Sequence, residues 1–213
     1  MSEEFNNLPP EEDTPVPEEA PVVDLEQMEP RQRPGNELFE WLQMILVCVL
    51  AAVFLFNCVI RLTRVDGESM DNTLQHGELM LVRSIAYDPQ PGDIIVLNKT
   101  TVDIPGWDGT KAIVKRIIAT EGQTVDVDYE AGLVYVDGKP LDEPYIKEEM
   151  YRPLDYHMQQ THWEVPEGSI FVMGDNRNNS TDSRDERLGC IDEEYILGKV
   201  VLALWPMSKF GPM

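Results

Sequence analysis

The chain has 213 residues, enough for one ordinary domain with an extension. It carries 39 acidic against 17 basic side chains, a formal net charge of −22. That balance excludes nucleic acid as a partner, because phosphate binding needs clustered Lys and Arg.

Residues 1–36 are rich in Glu and Pro and nearly free of aromatics. Such a stretch cannot bury enough apolar surface to offset its ordering entropy, so it is predicted to be a disordered acidic tail. Residues 37–61 follow as a predicted membrane anchor. Within them Trp41 to Ile60, "WLQMILVCVLAAVFLFNCVI", runs 20 residues without a charge. At about 1.5 Å per residue it spans roughly 30 Å, the thickness of a bilayer core, and makes the lipid bilayer a partner. A cleavable leader fits less well, since the apolar run is long and follows an acidic tail rather than a basic one. Arg31 and Arg33 precede the run and Arg61 and Arg64 follow it, so flanking charge does not orient the anchor. Cys48 and Cys58 lie in the apolar run and Cys190 alone lies beyond it, which leaves the remainder without an internal disulfide.

Residues 62–213 read as a mostly β domain of antiparallel sheets. Short β-branched or alternating runs recur at Glu78–Val82, Asp93–Leu97, Ala112–Ile118, Thr124–Asp128, Leu133–Val136, Ser169–Met173 and Lys199–Trp205. Gly, Pro and Asp separate most of them, and Asp137-Gly138 marks a tight hairpin. No long amphipathic helix interrupts the series.

Three features of this region carry chemistry. The first is Ser69 in "GESMDNTL", eight residues beyond Arg61. The second is Lys115 in "AIVKRII". Strand alternation puts Lys115 on one face with Ile113 and Ile117, where poor solvation favours the neutral amine, a base able to take a proton from a hydroxyl. The opposite register, with Val114 and Ile118 inward and Lys115 in water, fits the pattern equally well. The third is the polar loop "GDNRNNSTDSR", in which Asp175 and Asp182 can pair with Arg177, Arg184 or Arg116 and Ser180 can orient an amine. His76, His157 and His162 lie in turn-like or polar stretches and read as surface residues. No Cys or carboxylate cluster completes a metal site around them, so neither a metal nor a cofactor is expected.

Together "GESMDNTL" after an apolar helix, "VKRIIATEGQTV" in mid-chain and "MGDNRNNSTDSR" followed by "LG" resemble type I signal peptidases. These are membrane-bound Ser/Lys proteases that free exported proteins from their signal peptides. "VDGKPLDEPYI" and "GKVVLALWP" are similar to the family as well. The resemblance implies that Ser69 is the nucleophile and Lys115 the general base. It implies that Ser180 hydrogen-bonds the lysine, and that Arg116 with Asp175 and Asp182 with Arg184 form supporting ion pairs. The Ser69 N–H would be one oxyanion donor, and Gly67 stands where some members carry a serine as the second. Val65, Met70, Leu74 and Val114 match positions lining shallow apolar pockets; as residues they fit a plain core equally. Asn72 replaces the family's usual proline, which loosens the turn beside the nucleophile.

The implied partners are preproteins with small residues at the first and third positions before the cut. The implied topology puts the tail in the cytoplasm and the β domain outside a cell membrane. Self-cleaving repressors share the Ser/Lys fold, but they carry a basic DNA-binding region rather than an acidic tail and a membrane helix. A non-catalytic membrane-anchored binding protein is the other alternative; it would tolerate loss of Ser69 or Lys115.

Overall fold

The computed structural model describes residues 34–85, 87–98 and 112–213. The predicted tail lies outside these up to residue 33.

Helix α1 spans Pro34–Phe54 and continues as one π-helical turn over Leu55–Val59. Within it Glu37–Phe54 is long and apolar enough to cross a membrane. Trp41, Leu46, Leu50 and Phe54 are exposed, as lipid-facing side chains would be. The anchor predicted over residues 37–61 overlaps this helix, but its last two residues do not continue it. The helix starts at Pro34, and Ile60–Arg64 is a strand, β1. The cause is tertiary pairing: Ile60 to Arg64 lie antiparallel to Arg83 to Leu79, so the ladder satisfies the backbone groups that a continued helix would have bonded internally.

The later strands are β2 (Leu79–Arg83), β3 (Ile94–Leu97), β4 (Ile113–Thr120), β5 (Thr124–Asp128), β6 (Leu133–Val136) and β7 (Lys139–Pro140). After them come β8 (His162–Glu164), β9 (Ser169–Met173), β10 (Ile191–Asp192), β11 (Ile196–Trp205) and β12 (Gly211–Pro212). Every predicted strand is present. The main sheet runs β1-β2-β11-β3-β4-β9-β10 with β12 added to β11, and the smaller one runs β7-β6-β5-β8. All pairings are antiparallel. The β6–β7 hairpin turns on Asp137 (φ 51°) and Gly138 (φ 71°), as the Asp-Gly pair predicts.

Apolar residues cover both faces of the central strands. One cluster joins the two sheets through Ile118, Val125, Val134, Trp163 and Phe171. A second packs Ile95, Ile117, Val172 and Ile191, and a third packs Val65, Met70, Leu74, Val82 and Val96. Strand β9 is therefore buried along its whole length, Ile170 and Val172 facing one cluster and Phe171 and Met173 another. Neighbouring β4 is covered in the same way, and that settles the register question for Lys115: Lys115, Ile117 and Ile118 are all buried.

Candidate active site

Ser69 lies in a loop that leaves β1 and returns at β2. The loop is pinched at its base, where Val65 N–H donates to Glu78 O (2.9 Å) and Gly77 N–H donates to Val65 O (2.9 Å). Ser69 opens a single tight turn closed by Leu74 N–H donating to Met70 O (2.9 Å). Met70 and Leu74 are fully buried beneath it and anchor it to the third cluster.

Lys115 comes from β4. Its Nζ lies 2.7 Å from Ser69 Oγ, a hydrogen bond between residues 46 apart in sequence. Only 3% of Lys115 is exposed. Burial disfavours the ammonium and brings the lysine down from 10.5 to about 8; Asp182 and Asp175 pull the other way and Arg184 assists. A group with that value is part amine near neutral pH, as a general base needs.

The polar loop after β9 links the two. Asp175, fully buried, takes a two-pronged bond from Arg116, Nε to Oδ1 at 2.8 Å and Nη2 to Oδ2 at 2.7 Å. The same carboxylate accepts from Thr73 Oγ1 (2.5 Å). One side chain thus ties the residue after Lys115 to the turn that carries Ser69. Asn176 adds two bonds to that turn, its N–H to Ser69 O (3.0 Å) and its Nδ2 to Glu68 O (3.1 Å). Asp182 and Arg184 form a second two-pronged pair, wholly buried, at 2.8 and 2.9 Å, and Asp182 also accepts from Gly174 N–H (3.0 Å). Burial alone would raise Asp182, but Arg184 and these bonds hold it below the ordinary carboxylate range. Gly174 has no room for a side chain: a Cβ there would meet Ser180 Oγ and Ser69 O.

Both predicted ion pairs are present. Ser180 lies beside Gly174 and the Ser69 carbonyl, yet the bond expected from it to Lys115 does not form. Lys115 Nζ is directed at Ser69, and Ser180 Oγ is buried with no hydrogen-bond partner among the described residues. Gly67 adopts φ 107°, a conformation only glycine enters freely, and donates its N–H to His76 Nδ1 (3.2 Å). Of the four predicted pocket residues, Val65, Met70 and Leu74 are core side chains under the turn, and only Val114 keeps appreciable surface. His157 pairs with Glu186, and His162 with Asp126 at 2.6 Å; no hydrogen bond among the described residues joins a histidine to Ser69 or Lys115. The loosening expected from Asn72 is offset from outside, because Thr73, Asp71 and the Asn72 carbonyl are each held by a distant residue, Asp175, Lys147 and Lys209 respectively.

The sequence reading missed Thr73, Asn176 and Tyr145. The Tyr145 ring lies 3.9 Å from the Arg116 guanidinium carbon, and Lys147 N–H donates to Asp175 O (3.1 Å), so residues 143–147 cross the ion pair from outside. Thr73 could have been found as a hydroxyl within "GESMDNTL"; Tyr145 has no local signal, since its partner is far away in sequence.

Residues 38–205 match the family described as Signal peptidase, peptidase S26. The probable signal peptidase I-1 of Synechocystis is 36% identical over 88% of this chain and 92% of its own length. The signal peptidase I of Leptolyngbya laminosa is 32% identical over 95% and 96%. A crystal structure of a signal peptidase I from Enterococcus faecalis V583 matches 53% of this chain and 97% of its own, with a TM-score of 0.40 and 27% identity.

Proposed function

Since the chain belongs to the signal peptidase family, peptidase S26, we propose that it is a membrane-anchored serine endopeptidase that cleaves signal peptides from preproteins, with Ser69 as nucleophile and Lys115 as general base. The observation that carries the assignment is the 2.7 Å contact between Ser69 Oγ and a buried lysine Nζ.

In its neutral form Lys115 takes the Ser69 proton as Oγ attacks the scissile carbonyl. The tetrahedral oxyanion then collapses. The C–N bond breaks, the Lys115 ammonium gives its proton to the departing amine, and the signal peptide stays bound as a serine ester. Water, deprotonated by the Lys115 amine, attacks the ester carbonyl; the acyl C–O bond breaks, and the Lys115 ammonium returns the proton to Ser69 Oγ, freeing the signal peptide as an acid. Asp175, Arg116, Asp182 and Arg184 fix the loop around the pair rather than touch the substrate. Ser180, beside the Ser69 carbonyl, is a supporting side chain. The Ser69 N–H is one oxyanion donor. Val114 is the best placed of the four apolar residues to meet substrate.

The substrates are preproteins with small residues at the first and third positions before the cut. The anchor sits in a cell membrane with the preceding tail cytoplasmic and the β unit outside. The test is preprotein cleavage by detergent-solubilised protein. Ser69→Ala and Lys115→Ala must abolish it, and a bulky residue placed at either small position of the substrate must block it. Protease digestion of sealed vesicles checks the topology: the β unit should be cut only from the extracytoplasmic side.

A further inference from the structure

The nucleophile loop contains a buried carboxylate that the chemistry above does not use. Glu78 is 3% exposed and sits at the pinch that closes the loop, its backbone O bonded to Val65 N–H. Neither of its side-chain oxygens has a directed hydrogen bond among the described residues. Its compensating charge comes from the segment after β11, the strand beside β2 in the sheet: Lys209 Nζ lies 2.9 Å from Glu78 Oε1. The same ammonium donates to Asn72 O (3.4 Å), three residues past Ser69. One cation therefore spans the base of the loop and the turn that bears the nucleophile.

We infer that Lys209 is a positioning residue for cleavage: the segment after β11 clamps the Ser69 loop through Glu78 and the Asn72 carbonyl. Lys209 lies in a short turn, Met207–Lys209, closed by its N–H donating to Pro206 O (2.9 Å). That turn is framed by β11 and by β12, which pairs back on it at Leu202 and Ala203. The cation is thus delivered from a strand that also hydrogen-bonds β2, the strand leaving the loop. A buried charge whose partner is removed is strongly unfavourable, so the loop must shift or admit water when Lys209 is lost. A shift of about 1 Å between nucleophile and base is enough to cost about a hundredfold in rate. The inference rests on Ser69 being the nucleophile.

The experiment uses the full chain in detergent with a peptide substrate, well below the melting temperature of every variant. Lys209→Met should lower kcat roughly ten- to a hundredfold with KM within about twofold, since the clamp acts on the loop and not on substrate contacts. Lys209→Arg should recover most of the rate. Adding Glu78→Gln to Lys209→Met should recover melting temperature, because no uncompensated buried charge remains, but only part of kcat, because the Asn72 bond is still missing. Lys209→Met with unchanged kcat, whatever its melting temperature, overturns the inference, as does a loss that Lys209→Arg leaves unrepaired. Ser69→Ala run in parallel separates the two claims: an active Ser69→Ala refutes the nucleophile, whereas an inactive one beside a fully active Lys209→Met refutes only the clamp.

Discussion

In the proposed mechanism Ser69 and Lys115, in contact at 2.7 Å, act as one catalytic unit. Each single alanine substitution should therefore reduce preprotein cleavage by several orders of magnitude, and the double no further. Equal activity of Lys115→Ala and the parent, with circular dichroism showing both folded, would exclude Lys115 as the base. In the proposed mechanism the amine is the working form, so kcat/KM should rise with pH and level off above about 8, the value to which burial brings Lys115. The same burial costs stability. Below pH 8 the folded protein protonates the amine at the expense of burying an ammonium, whereas the unfolded chain keeps the ordinary value of 10.5. Between the two values the unfolded state binds more protons, so stability rises with pH across that window. At about 1.4 kcal/mol per pH unit the cost at neutral pH is on the order of 3 kcal/mol. Lys115→Met should accordingly melt higher than the parent at pH 7, by roughly 5–10 °C, and lose that advantage towards pH 10.5. A scan showing Lys115→Met less stable at pH 7 would mean that the amine is better solvated than its burial implies. Gly67 makes a different residue-scale case. Space around it is open, but φ 107° is not. Gly67→Ser should destabilise by about 1–3 kcal/mol in denaturant melts, through backbone strain alone.

At the scale of elements, the loop between β9 and β10 holds the site together. Its Gly174 approaches the Ser69 carbonyl so closely that Gly174→Ala must push the nucleophile turn away from β4. The expected outcome is a folded protein with kcat down at least about a hundredfold. Asp182→Asn breaks the two-pronged pair and strands Arg184 in the interior, at a cost of about 3–5 kcal/mol measurable by urea unfolding. This scale also separates what the sequence could tell from what it could not. The predicted strands were readable because alternation or an apolar run marks each of them. β8, β10 and β12, two or three residues long, carry no such pattern. β1 was hidden because Ile60 continues the apolar run, and only pairing with β2 makes it extended. Ser69, Lys115 and the two ion pairs were legible from motif context. Ser180 was placed in the right loop with a bond it does not make. Met70 and Leu74 were matched to pockets, although an apolar residue lining a cleft and one supporting it from below look alike in sequence.

At the scale of the molecule, the three core clusters draw their buried members from residues 65–200. Deletion of residues 1–33 should leave detergent-phase kcat/KM for a preprotein near that of the parent; a large loss with the fold intact would give the acidic tail a part in cleavage.

The order of strands sets a clock. β11, made after every other long strand, is inserted between β2 and β3 in the sheet. The strand that follows the serine loop and the strand that pairs with the lysine strand are therefore not joined until Ile196 to Val200 have left the ribosome. Loops of such length close late in folding, because their entropy must be met before the contacts exist. On the proposed topology, a nascent chain whose anchor is already in the bilayer should therefore still be inert. The expected outcome is that a ribosome-arrested chain ending before Ile196 shows no cleavage, while one extended past the terminus by a linker that clears the exit tunnel cuts; cleavage by the shorter chain would show that β11 is not needed to assemble the site.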